Sequence, residues 1–103
     1  MATLTQIIKI GLNDNSLTKI QAESLIKKTL NDSAHHEEID SLHSQGAIAS
    51  STATYIDGVY TLIRKWDKDK YTTYTNANLE KASSRKTALT SAGYTVNEQV
   101  SDD

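Results

Sequence analysis

A chain of 103 residues with a formal net charge of -2 and 37% apolar residues has room for one modest hydrophobic core. Its balanced charge creates no overall field toward nucleic acid or an anionic membrane. The absence of cysteine excludes disulfides, thiolate catalysis and thiolate-bound metal or iron–sulfur centres, and no proline divides the chain into rigid pieces. Residues 1–100 read as a single compact domain and Ser101, Asp102 and Asp103 as a polar tail. Met1 to Gly11 lacks a charged segment followed by an apolar run and a small-residue cleavage site, and no stretch is apolar enough to span a bilayer. A cytoplasmic location without membrane contact is therefore expected.

The first predicted helix runs from about Leu4 to Leu12, opened by Thr3 with Gln6 three residues on. That is the spacing of a capping box, whose two side chains satisfy free backbone N–H groups. Thr18 and Gln21 repeat the opening before a second helix with Ala22, Leu25, Ile26 and Thr29 on one stripe. Leu12-Asn13-Asp14 and Leu30-Asn31-Asp32 then read as shared turn chemistry in two adjacent antiparallel helices. A third helix, Ser33 to Gln45, would turn Ile39 and Leu42 toward the core and stop at Gly46, a left-handed cap. Glu37, Glu38 and Asp40 lie near its start, where the helix dipole favours carboxylates.

The sharpest local signal is Asp57-Gly58 between two segments rich in β-branched and aromatic residues, Ser51 to Ile56 and Val59 to Trp66. Both central residues of a type I′ turn need positive φ, which these two residue types tolerate, so a hairpin is predicted. Pairing Ile56 with Val59 gathers Tyr55, Tyr60, Leu62, Arg64 and Trp66 on one face and Ile56, Val59, Ile63 and Lys65 on the other. The run Asp67-Lys68-Asp69-Lys70 reads as a loop into a third strand, Tyr71 to Thr75, which would set Tyr71 opposite Trp66. The same residues admit a mostly α alternative with 47–68 as one long helix, since Ile48, Thr52, Tyr55, Val59, Leu62, Ile63 and Trp66 also fit helical spacing. Gly58 would cost that helix about 1 kcal/mol.

A last helix, Asn78 to Ala92, carries Leu79, Ala82 and Leu89 and ends at Gly93 before a short strand, Tyr94 to Glu98. Arg85 and Lys86 sit on or beside its apolar stripe. Their stems would cover apolar surface, or their charges would meet an acidic partner. The expected class is thus α+β: an N-terminal three-helix unit, a small antiparallel β-meander, a further helix and a short C-terminal strand.

Three constellations bear on function. His36, Asp40 and His43 share a helical face and include metal-ligating side chains, but no fourth ligand is identifiable, so neither metal nor cofactor is expected. The aromatic face ends in Arg64, Lys65, Lys68 and Lys70, a combination that could stack nucleic-acid bases, although Asp67 and Asp69 neutralise the loop. Three helices followed by a hairpin are similar in order to a winged helix, which would implicate DNA. The third helix would then offer Glu37, Glu38 and Asp40 to phosphates, an unfavourable match. No glycine-rich phosphate loop or nucleophile elbow occurs, so no enzymatic activity is expected.

The reading that fits best is a small non-enzymatic protein–protein interaction or regulatory module. Its partner contacts would be Tyr55, Tyr60, Arg64, Trp66, Tyr71, Glu37 and Glu38, because Tyr, Trp and Arg favour interface hot spots. The alternatives are a nucleic-acid-binding, winged-helix-like protein and a self-associating structural subunit of a larger assembly such as a virus particle.

Overall fold

The computed structural model describes residues 2–30 and 40–103. Its elements in chain order are β1 (Thr3–Gly11), α1 (Lys19–Leu30), β2 (Ile48–Ile56), β3 (Val59–Asp67), α2 (Lys68–Ala77), α3 (Leu79–Ser91) and β4 (Thr95–Asp102), with a further helical stretch at 40–44. The strands form one antiparallel sheet in the order β2-β3-β1-β4. β1 and β2 therefore run parallel with β3 between them. That is the split βαβ, or ferredoxin-like, connectivity, here with two helices in the second crossover. The class is α+β, as expected.

The three-helix N-terminal unit is not what forms. Residues 3–11, read as a helix, are the central strand β1, and only α1 precedes the hairpin among the described helices labelled here. The winged-helix order goes with it. Strand structure wins because Leu4, Gln6, Ile8 and Ile10 fall on one face and Thr3, Thr5, Ile7 and Lys9 on the other, and seven of these eight residues pair on both sides with β3 and β4. The expected Thr3–Gln6 capping pair does not arise: Thr3 donates to Asp103 Oδ2 at 2.8 Å, and the Gln6 side chain is committed elsewhere. The second capping box is present as read. Thr18 N donates to Gln21 Oε1 at 2.9 Å, Gln21 N donates to Thr18 Oγ1 at 3.2 Å, and α1 follows with Ala22 and Ile26 buried.

Asp57 and Gly58 have φ of 53° and 77° and close the β2–β3 hairpin, with Ile56 opposite Val59 and Tyr55 opposite Tyr60. The single long helix over 47–68 is thereby overturned. A Cβ on Gly58 would lie 3.2 Å from Asp14 N and 3.3 Å from Asn13 Cα, because the loop after β1 lies over the turn and its Leu12 and Asn13 amides donate to Gly58 O. Residues 71–75 are helix rather than a third meander strand. Asp67 caps α2 by accepting from Lys70 N, and Thr72, Thr73 and Thr75 donate their hydroxyls to carbonyls one turn back. The last helix and strand form as read, with Gly93 at φ 93° between them, although β4 extends to Asp102. Ser101 and Asp102 are thus paired with β1, and Asp103 accepts from Thr3 and Thr5. Gly46, at φ 78°, ends the helical stretch at 40–44, while Ser33 to Ile39 of the expected third helix lie outside the described residues.

The helices lie on the face that carries Leu4, Ile8, Ile10, Tyr60 and Trp66, and the core there is in two parts. One cluster joins Ile10, Leu12, Tyr60 and the α1 residues Ala22 and Ile26 to Leu89 of α3. The other joins Leu4, Ala47, Ile48 and Trp66, with Leu42, Tyr71 and Tyr74 packed against it. On the opposite sheet face lie Thr5, Ile7, Lys9, Thr61, Ile63 and Lys65, with Ile63 38% exposed.

Candidate functional site

Alternation along the strands sets a polar row between the two apolar clusters. On the helix side of the sheet, Trp66 pairs with Leu4 and with Ile48 at one end, and Ile10 pairs with Tyr60 at the other. Between them stand Gln6 of β1, Arg64 of β3 and Ser51 of β2, paired side by side. Two apolar layers thus flank a strip of hydrogen-bonding groups, and a cavity of about 740 Å³ opens over it, walled by the sheet and by residues of all three labelled helices.

Gln6 is 7% exposed and fully engaged. Its Oε1 accepts from the Trp66 indole Nε1 at 2.9 Å and its Nε2 donates to Glu98 Oε2 at 2.8 Å, a relay that crosses β3, β1 and β4. Trp66, 1% exposed, is fixed further by α2: its ring stacks on Tyr71 at 5.2 Å and on Tyr74 at 5.6 Å between centroids, each at 29°. At the other end the Tyr60 hydroxyl donates to Glu23 Oε1 of α1 at 2.8 Å. Burial first, then the bond to Glu23 and its charge, hold the Tyr60 phenol well above its ordinary range, with Arg64 offsetting part of the effect.

Arg64 lines the cavity and is half-buried. Burial lowers its guanidinium pKa from the ordinary value and Arg85 acts in the same direction, while Tyr74, Tyr60 and Glu98 partly restore it. Among the described residues it forms no side-chain hydrogen bond and no ion pair. Burial likewise raises the Tyr71 phenol, with Glu98 adding to the effect.

Most of the residues expected to touch a partner converge here. Tyr60, Arg64, Trp66 and Tyr71 all line the cavity, and Tyr55 lies on the same sheet face, its hydroxyl bound to Asp14 O. Tyr60 and Trp66 are enclosed core rings, so these two offer no open face on which bases could stack. Glu37 and Glu38 lie outside the described residues. The cavity is also lined by Gln6, Tyr74, Arg85 and Glu98, of which the sequence reading had singled out Arg85 alone, for an acidic partner. Alternation in β1 was the available signal for Gln6, but the helical reading of residues 4–12 concealed it.

Of the low-ranked metal candidates, Asp40 and His43 line the cavity and His36 lies outside the described residues. Among the described residues no group of three or more His, Asp or Glu side chains is placed to hold a metal ion. His43 Nε2 lies 3.2 Å from Ser51 Oγ, which links the helical stretch at 40–44 to β2. Asp40 makes no hydrogen bond to that imidazole and all three side chains are exposed, so the pair lacks the orienting acid and the dry surroundings that activate a serine. Among the described residues no helix is long and apolar enough to cross a membrane. No family model, curated protein or solved structure matches the chain.

Proposed function

We propose that the protein is a small non-enzymatic interaction or regulatory module that works by receiving a group of its partner in the cavity between sheet and helices. The observation that carries this reading is convergence: Tyr60, Arg64, Trp66 and Tyr71, the residue types that dominate binding hot spots, meet around one cavity of about 740 Å³. That volume falls within the roughly 300–1,000 Å³ of ligand sites, and the mixture of apolar wall and few polar groups is their usual lining. Catalysis is disfavoured because the one hydroxyl–imidazole contact among the described residues, Ser51 with His43, has neither an orienting carboxylate nor burial.

Trp66, the one tryptophan in the sequence, is part of the cavity wall, so an occupant should alter its emission. Fractions of a source-cell extract, with small molecules and proteins kept separate, are titrated against the protein and against Ala53→Phe. Ala53 lines the cavity, and a phenyl group there would intrude into it and narrow it. A fraction that changes emission of the native chain, with the response lost in a folded Ala53→Phe variant, supports the reading. A full response in the narrowed variant counts against the cavity, and silence of all fractions counts against binding.

A further inference from the structure

The two rims of the sheet are built differently. One outer strand, β4, carries Glu98 and Asp102, charged side chains of the kind that keep a strand edge from pairing with another chain. The other, β2, has neither a charged residue nor a proline in its nine residues, Ile48–Ile56. The two-residue turn at Asp57-Gly58 sets the phase of the β2–β3 ladder, in which Ile56 with Val59, Thr54 with Thr61 and Thr52 with Ile63 are the hydrogen-bonded pairs. The backbone N–H and C=O groups of Ser51, Ala53 and Tyr55 therefore point away from β3. Among the described residues nothing bonds to those groups, and Ser50, Ser51, Thr52 and Thr54 are exposed. The open stretch is bounded on one side by a register irregularity between Ile48 and Ser50 and on the other by the turn.

We infer that β2 is a self-association edge: a second copy of this chain adds its own β2 antiparallel, about a two-fold axis at Ala53, and the two four-stranded sheets become one. With the axis there, Ala53 faces its counterpart and Ser51 faces Tyr55 of the partner subunit, so each outward N–H and C=O of the stretch meets its complement. The side chains suit the same register. Thr52 falls opposite the partner's Thr54 on the open face of the sheet, a β-branched pair that favours neighbouring strands, and Ile56, 65% exposed, falls opposite the partner's Ser50. A second copy is favoured over a foreign strand because the edge complements itself: no charge lies within it, and the Asp57 residues of the two copies stand at opposite ends. A net charge of -2 adds little repulsion between copies. Rim-to-rim contact is small, so the dimer is reversible. The inference rests on backbone groups at the rim and is independent of what the cavity holds.

Sedimentation velocity over a concentration series reads the association, and amide hydrogen exchange by nuclear magnetic resonance reads the surface. The full chain should pass reversibly from monomer to dimer below about 1 mM. The amides of Ser51, Ala53 and Tyr55 should slow in step with the dimer, while those of Thr52 and Thr54, already bonded to β3, change least. Thr52→Lys with Thr54→Lys should weaken association at least about tenfold, because like charges would oppose across the axis. Thr52→Lys with Thr54→Glu should restore it, because an axis at Ala53 sets position 52 of each copy against position 54 of the other. A strict monomer up to about 1 mM, a dimer whose protection lies elsewhere, or open-ended growth into filaments would each overturn the inference. Protection of the three amides that persists on dilution would overturn it too, since the edge would then be covered within one chain. These readings need no variant, and a mixed-charge pair that associates no better than the double lysine would overturn the axis at Ala53.

Discussion

Replacing Gln6 by leucine removes one side chain and strands another. The leucine occupies most of the glutamine's volume, so the packing change is small. The indole N–H of Trp66, 1% exposed, loses its 2.9 Å acceptor and has no route to water. An unsatisfied buried donor costs about 1–3 kcal/mol. Glu98 also loses a 2.8 Å donor, but that carboxylate is exposed and rehydrates, so its share is small. The expected total is about 2 kcal/mol, which for a domain of this size lowers the melting temperature by roughly 8 °C. If the stranded indole N–H is the cause, the same change should be milder in a Trp66→Phe background, where no such donor exists. A double-mutant cycle on urea unfolding, followed by far-ultraviolet circular dichroism, should give a coupling of about 1–2 kcal/mol between the two positions. Costs that add to within about 0.5 kcal/mol would refute the relay as a stabilising unit.

Further outcomes follow from other local features. Gly58→Ala should destabilise by about 1–3 kcal/mol in the same unfolding assay, since alanine must adopt φ near 77° with its Cβ against the backbone of Asn13 and Asp14. Thr18→Ala should cost about 1 kcal/mol and speed amide exchange in the first turn of α1, because Gln21 N loses its acceptor. Tyr60 has a folded-state pKa raised above its unfolded value of 10, so its contribution is complete below pH 10 and is lost as pH rises beyond that. Phenolate absorbance from Tyr60 should therefore appear only with loss of the dichroism signal, and Tyr60→Phe should flatten the stability decline at alkaline pH. Asp103 behaves in the opposite sense. Hydrogen bonds from Thr5 and Thr3 lower its pKa, so its stabilising effect is present above the ordinary value of 3.8 and is lost as pH falls below it. Carboxyl carbon shifts should report a higher midpoint in a Thr3→Val/Thr5→Val variant.

Where a backbone conformation required particular residues, the sequence was readable. Asp57-Gly58, Thr18 with Gln21, Gly46 and Gly93 each impose a local geometry that tertiary packing left in place. The errors arose where local preference and packing disagree. Thr3 and Gln6 imitate a capping box, yet Thr3, Thr5, Ile7, Ile8 and Ile10 are β-branched and suit a strand that alternates faces. A buried polar residue at Gln6 blurred that period. Tyr71 to Thr75 favours strands by composition, but the Asp67 cap and the stacking of Tyr71 and Tyr74, three residues apart, on Trp66 require a helix. The hairpin register correctly brought Tyr55, Tyr60, Arg64 and Trp66 to one face. Which face the helices would cover depends on the crossover connections, and no pattern within the hairpin encodes those.

The attachment of α3 is uneven, and this has a mechanical consequence. Leu89, near its C-terminal end, is its one buried residue, whereas Leu79 at the other end is 64% exposed. Lifting the N-terminal half of α3 would break no rung of the β2-β3-β1-β4 ladder. The sheet forms a stiff floor beneath a helix whose apolar anchor lies at one end, and amide exchange should quicken from Leu89 toward Leu79. On the binding reading proposed above, admission of a bulky guest would be set by a local opening free energy, well below that of global unfolding.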